Sequence, residues 1–171
     1  IDPPGAYPGA GAEERGQADA IARVIYEMGR LTVPIIVTVI GEGGSGGALG
    51  IGVGDRVLMM ENAWYTTITP EACSTILWKD QEKAAARKTD CAEALRLTAA
   101  DLLELGVIDG IVEEPLGGDH HDFYAANQAL KTAISESFAE ITSTPIDTLI
   151  LERIDKFSNM GVYDVVPADP V

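Results

Sequence analysis

Apolar residues recur along this chain in two rhythms. Between Glu13 and Arg30 they fall at Ile21, Val24, Ile25 and Met28, a spacing of three and four that predicts an amphipathic helix. Pro34 to Ile40 is apolar without alternation, which predicts a parallel strand buried on both faces. A glycine-rich loop follows, then a short helix from Ala48 to about Gly54, in which Gly50 and Gly52 lower helix propensity and imply a close neighbour. Arg56–Met60 and Trp64–Ile68 read as short strands around a turn at Glu61-Asn62. Thr69-Pro70-Glu71 is a helix start, and one or two helices follow to about Leu97. Thr98 caps Ala99–Leu105, Gly106 stops that helix, and Val107–Glu113 reads as a strand. Pro115–Asp122 is a loop and Phe123–Ile141 a helix. Thr144-Pro145 opens a last helix to about Asn159, with Ile146, Leu149, Ile150, Ile154 and Phe157 on one face.

Strands alternate with helices, so the fold class is α/β. At 171 residues a single domain, 1–171, is expected, with a loose tail over about 162–171. Ile1-Asp2-Pro3-Pro4-Gly5 reads as the tail of a strand running into a loop. That predicts a fragment whose earlier elements precede Ile1.

Charge narrows the partners. Lys and Arg number 12 against 27 Asp and Glu, a net charge of -15. A nucleic-acid surface needs clustered cations, so none is expected. An anionic nucleotide such as coenzyme A would also be poorly attracted by this chain alone. The two cysteines, Cys73 and Cys91, form no CxxC pattern, so neither a disulfide framework nor a zinc site is expected. No apolar run is long enough to span a bilayer, and no membrane association is expected.

The chemistry concentrates in Gly41-Glu42-Gly43-Gly44-Ser45-Gly46-Gly47, which follows the apolar strand. Five of these seven residues are glycine, so the backbone itself is the working surface. Three readings compete. Gly41, Gly43 and Gly46 satisfy the dinucleotide pattern, with Glu61 near the ribose-acid position, but the helix that follows is too short to cover a sheet. Gly43-Gly44-Ser45-Gly46-Gly47 satisfies the nucleophile-elbow pattern, with Asp109 and His120 in hydrolase order. His120 and His121, however, sit in a glycine-rich loop with no sequence reason to reach Ser45. In the third reading, successive N–H groups of Gly46 and Gly47 at a helix start hold a developing oxyanion.

Four stretches carry a family resemblance, in order along the chain. They are Gly5–Gln17, Val39–Leu49, Thr69–Lys79 and Glu114–Gly118. Together they resemble the carboxyltransferase α subunit of bacterial and plastid acetyl-CoA carboxylase, from Ile1 to about Asp122. The resemblance implies the crotonase (ClpP-like) fold of stacked ββα units, here its C-terminal portion with C-terminal helices. It also implies a fragment lacking the N-terminal part of the subunit.

The implied activity is transfer of a carboxyl group from carboxybiotin to acetyl-CoA, giving malonyl-CoA for fatty-acid synthesis. Gly46 and Gly47 take the role of oxyanion donors, holding charge that grows on the biotin ureido oxygen. Gly43, Gly44, Glu42, Tyr7 and Gly9 are expected to shape the carboxybiotin pocket. Carboxybiotin is supplied in trans by the biotin carboxyl carrier protein. ATP is used by the biotin carboxylase and is not expected to bind here, and no metal is expected in this chain. A β subunit completes an α2β2 unit and holds the acetyl-CoA enolate. Trp64 and Trp78 are expected in the core or at a subunit interface. The implied location is cytoplasmic, or the plastid stroma if the source is a plant. Two alternatives share these motifs. One is an α-type subunit of another biotin-dependent acyl-CoA carboxylase or decarboxylase, and the other is a folded but inactive interaction fragment.

Overall fold

The computed structural model describes residues 1–162, so all of the expected loose tail except Val162 lies outside the described residues. The chain builds two stacked ββα units. The first is β1 (Ile36–Val39), β2 (Glu42–Gly44) and α3 (Ser45–Leu49). The second is β3 (Arg56–Met60) and β4 (Trp64–Thr66), followed by α4 (Pro70–Leu77), α5 (Gln81–Ala86) and α6 (Lys88–Leu95). α1 (Ala10–Glu14) and α2 (Gln17–Arg30) precede them. α7 (Ala99–Glu104), β5 (Gly110–Val112), α8 (Phe123–Thr142) and α9 (Ile146–Ser158) follow.

Strands pair between units and not within them. β1 and β3 run parallel from Ile36 against Arg56 to Val39 against Met59, and β5 continues that sheet on the far edge of β3. β2 and β4 form a second parallel pair, Glu42 against Trp64 to Gly44 against Thr66. Glu61-Asn62 therefore turns the chain from one sheet to the other. On the opposite edge of β1, Ile1 donates to Thr38 O at 2.6 Å and accepts from Ile40 N at 2.9 Å, a parallel bridge that supports its strand-like reading.

Between the main sheet and its helices lie Val37, Val39, Val57, Met59, Ala99, Leu102 and Val112, all buried. Each large apolar side chain among them contributes about 1.5–3 kcal/mol through burial.

Several expected elements change at their ends, each for a local reason. The single helix 13–30 is two, because Gly16 adopts a left-handed φ of 78° between α1 and α2. Three short helices replace the one or two expected before Leu97. The chain runs extended at Trp78, and the Asp80 carboxylate caps α5 by accepting from Glu82 N and Lys83 N at 3.0 Å. The glycine loop contains a strand, β2, and α3 starts at Ser45 and ends before the glycines that follow. Thr69 and Thr98 do cap their helices, and Gly106 does take the left-handed φ, 69°, that ends α7.

The predicted helix faces hold only in part. No residue of α2 is fully buried and Val24 is exposed. On α9 Ile154 is exposed, and the fully buried position next to it is Arg153. Trp64 and Trp78 are half-buried, the latter beneath the Arg87 guanidinium at 5.7 Å. Cys73 and Cys91 are free thiols on the packed helices α4 and α6, and burial pushes the Cys91 thiol above its ordinary value.

Candidate functional site

The glycine loop is held from above by residues 2–6. Asp2 Oδ1 accepts the Glu42 N–H at 2.8 Å, and Pro3 O accepts the Gly44 N–H at 2.9 Å. This contact leaves no room for side chains. A Cβ on Gly44 would lie 2.0 Å from Pro4 O, and one on Gly47 would lie 2.8 Å from Gly5 C. A Cβ on Gly43 would meet the Tyr65 ring at 2.8 Å. These three glycines therefore answer to the chain's own packing. Gly44→Ala should destabilise the fold by at least the ~1–3 kcal/mol typical of overpacking. Urea unfolding checks this, and an unchanged midpoint would contradict the contact with Pro4.

Ser45 turns the strand into the helix with φ 48°, an uncommon conformation for a residue with a side chain. The N–H groups of Gly46 and Gly47 come next, in the first turn of α3, where no intrahelical carbonyl can reach them. Neither has a hydrogen-bond acceptor among the described residues. Two successive uncommitted donors at a helix start suit a developing negative oxygen.

The donors differ in their surroundings. Gly46 borders a cavity of about 530 Å³ with Ser45, Leu49, Tyr65, Leu102 and Phe157 on its wall. Gly47 is packed against Gly5 and Ala6. The other expected pocket residues sit elsewhere. Gly43 and Gly44 are buried within β2, and Glu42 is exposed beside Asp2. Tyr7 is 70% exposed, with its ring over Gly9, where a Cβ would fall 2.2 Å from Cε1. None of these five borders the cavity.

Neither rival reading of the loop is assembled. Asp109 accepts the Val57 N–H at 2.6 Å and pairs with Lys156, so it is not available to His120. His120 lies against His121, ring centroids 4.6 Å apart and tilted by 42°, and lines a separate hollow with Glu61, Asn62 and Glu114. The dinucleotide reading fails because β2 occupies the loop and α3 has only five residues. Glu61 is committed to the Glu114 N–H at 3.1 Å. In that hollow burial would raise the Glu114 carboxyl, but bonds from Asn62 and Asp119 outweigh it and hold it below the ordinary value. Burial and the Glu114 charge push Asp119 up. Among the described residues no group of three or more His, Cys, Asp or Glu is placed to hold a metal ion. No helix there is long and apolar enough to cross a membrane.

Sequence reasoning missed one polar centre. Arg153 and Asp55 form a fully buried ion pair, with Nε to Oδ1 at 2.8 Å. The available signal was a cation placed four residues after Leu149 and four before Phe157, on the apolar face of α9.

Stacked ββα units whose parallel strands pair across units, with free N–H groups where the second strand enters its helix, define a crotonase-class α/β domain. Solved structures share this fold. A Pseudomonas malonate decarboxylase hetero-tetramer in complex with coenzyme A superposes with TM-score 0.71 at 17% identity, over 92% of this chain and 62% of that one. Transcarboxylase 12S superposes with TM-score 0.61 at 15% identity, over 99% of this chain and 29% of that one.

Within that class, the chain belongs to the family described as acetyl co-enzyme A carboxylase carboxyltransferase-like, whose model matches residues 1–161. Among its relatives, the acetyl-coenzyme A carboxylase carboxyl transferase subunit alpha of Chlorobium limicola is 57% identical over 164 residues. That match covers 96% of this chain and 48% of the relative. The subunit of the same name from Flavobacterium psychrophilum is 55% identical, over 96% of this chain and 50% of its own length. The chain spans about half the length of the curated relatives it matches.

Proposed function

We propose that this chain supplies the α-subunit half of a carboxyltransferase site that moves a carboxyl group from carboxybiotin to acetyl-CoA, forming malonyl-CoA. The observation that carries the reading is the pair of uncommitted N–H groups at Gly46 and Gly47, in a chain of this family. Gly46 and Gly47 would hold the oxygen on which negative charge grows during the transfer. Each such donor is worth about 2.7–4 kcal/mol in a dry, preorganised site. The apolar wall beside Gly46 supports exclusion of water, which strengthens that interaction. Carboxybiotin supplies the transferable carboxyl group. The chain's own part is positioning and charge stabilisation, without a side-chain nucleophile.

The partners that fit this role are a β subunit in an α2β2 unit, the biotin carboxyl carrier protein and a biotin carboxylase that uses the ATP. Relatives named as subunits of this enzyme support that assembly and a cytoplasmic location. The test uses the full-length chain assembled with its β subunit, biotinylated carrier, biotin carboxylase, ATP and labelled bicarbonate. Label should appear in malonyl-CoA, and Ser45→Ala should retain most of the rate because its hydroxyl has no nucleophilic role. A correctly assembled complex that makes no malonyl-CoA would refute the proposal. An inactive Ser45→Ala complex with intact assembly would return the hydrolase-like reading.

A further inference from the structure

The apolar cavity beside Gly46 contains a hydroxyl that the reading above leaves unused. Tyr65 leaves β4 with its backbone N–H on Leu97 O at 3.1 Å and its Cα in register with Gly43. Its side chain is clamped by two glycines. A Cβ on Gly43 would sit 2.8 Å from ring Cδ2, and one on Gly52 would sit 3.0 Å from the hydroxyl oxygen. Gly52 itself lines the cavity, which places the hydroxyl at the cavity wall. No described residue bonds to that hydroxyl, and burial raises the phenol above its ordinary value, so it stays protonated at neutral pH.

The rest of the wall isolates it further. Thr66 Oγ1 is spent on Ile68 O at 3.1 Å, while Leu49, Leu102, Leu105 and Phe157 offer no polar atoms from their side chains. Among the described residues no Lys, Arg or His lines the space, so phosphate or carboxylate would enter it without a counter-charge. The donors on this wall are the Tyr65 hydroxyl and the Gly46 N–H, with the hydroxyls of Ser45 and Thr67 beside them. An uncharged, mostly apolar group bearing a carbonyl oxygen fits that arrangement.

We propose that Tyr65 is a binding residue whose hydroxyl donates to a carbonyl-type oxygen of such a group, held in the cavity beside Gly46. The inference rests on the carboxyltransferase reading, which offers two sources of that oxygen, the cyclic urea of biotin and the acyl thioester of acetyl-CoA.

Tyr65→Phe tests it, because the ring and its glycine clamps stay while only the hydroxyl goes. In the full-length chain assembled with its β subunit, KM should rise about 3- to 10-fold for one substrate, as expected for one lost hydrogen bond, with kcat less affected. A rise for biotinylated carrier assigns the urea, and a rise for acetyl-CoA assigns the thioester. A second measurement needs no turnover. Millimolar d-biotin or acetyl-CoA should raise the Tm of the wild-type complex more than that of Tyr65→Phe. If Tyr65→Phe fails to assemble, Gly52→Ala, whose Cβ would press on the same hydroxyl at 3.0 Å, should shift KM and the Tm gain in the same direction by a smaller amount. Unchanged KM values together with equal Tm gains would overturn the proposal. A wild-type complex without turnover would instead sink the carboxyltransferase reading, and the Tm comparison would still decide the role of Tyr65.

Discussion

Proline at position 46 is expected to lower malonyl-CoA formation at least ~100-fold in kcat, the loss typical of one missing oxyanion donor. Gly46→Ala should keep the donor and most of the rate. The structure makes Gly46 a cleaner probe than Gly47. A Cβ at Gly46 would find Ile21 Cδ1 at 3.6 Å and Ala6 Cβ at 4.0 Å, ordinary contacts, whereas at Gly47 it would strike the Gly5–Ala6 backbone. The Gly46 N–H lies in the first helical turn with no acceptor, so proline removes no internal hydrogen bond there. Gly47→Pro would lose activity too, but through distortion of the segment above the loop as well as through the missing donor. The measurement is steady-state turnover of the assembled full-length enzyme, with circular dichroism and Tm confirming each fold. A folded Gly46→Pro complex with near-normal turnover would remove Gly46 as a donor.

Arg153→Met is expected to cost about 3–5 kcal/mol of stability, because it strands a buried carboxylate. All five guanidinium N–H groups are in use. Two bind Asp55, at 2.8 and 2.9 Å. The others reach Met28 O at 2.8 Å, Leu31 O at 3.0 Å and Val33 O at 2.9 Å. Asp55 Oδ2 also accepts the Ile35 N–H at 2.6 Å. One side chain thus ties α9 to the end of α2 and to the entry of β1. The loss corresponds to a Tm lower by roughly 6–20 °C for a chain of this size. Adding Asp55→Asn to Arg153→Met should recover part of the loss, since the unpaired charge is gone while an acceptor for Ile35 remains. Urea unfolding of the three variants reads both effects. An Arg153→Met chain within ~1 kcal/mol of wild type would show that the pair does not hold these elements together.

The hydrophobic rhythm, the caps and the glycine loop made the α/β class and the order of elements legible from the chain alone. Those signals are local: threonine before a helix, glycine after one, an apolar run for a parallel strand. Of that run only Val37 and Val39 are fully buried, and not both faces as expected. The family motifs are local too, and they pointed to Gly46 and Gly47 as donors. Pairing was not legible, because the turn at Glu61-Asn62 joins two strands whose partners lie in the preceding unit. A turn signal reports a change of direction and carries no information about which strand lies alongside.

The sequence by itself placed a glycine-rich backbone loop between an apolar strand and a helix and marked it as the candidate site. Only the tertiary structure decided how those glycines divide. Gly43, Gly44 and Gly47 admit Tyr65, Pro4 and Gly5, and Gly46 opens on the apolar cavity. It also decided that Arg153 is a core residue and that the Tyr65 hydroxyl has no partner among the described residues. The reason is that a missing Cβ or a placed charge has meaning only through what approaches it. Those neighbours come from residues as distant along the chain as Asp55 and Arg153, which only the packed fold brings together.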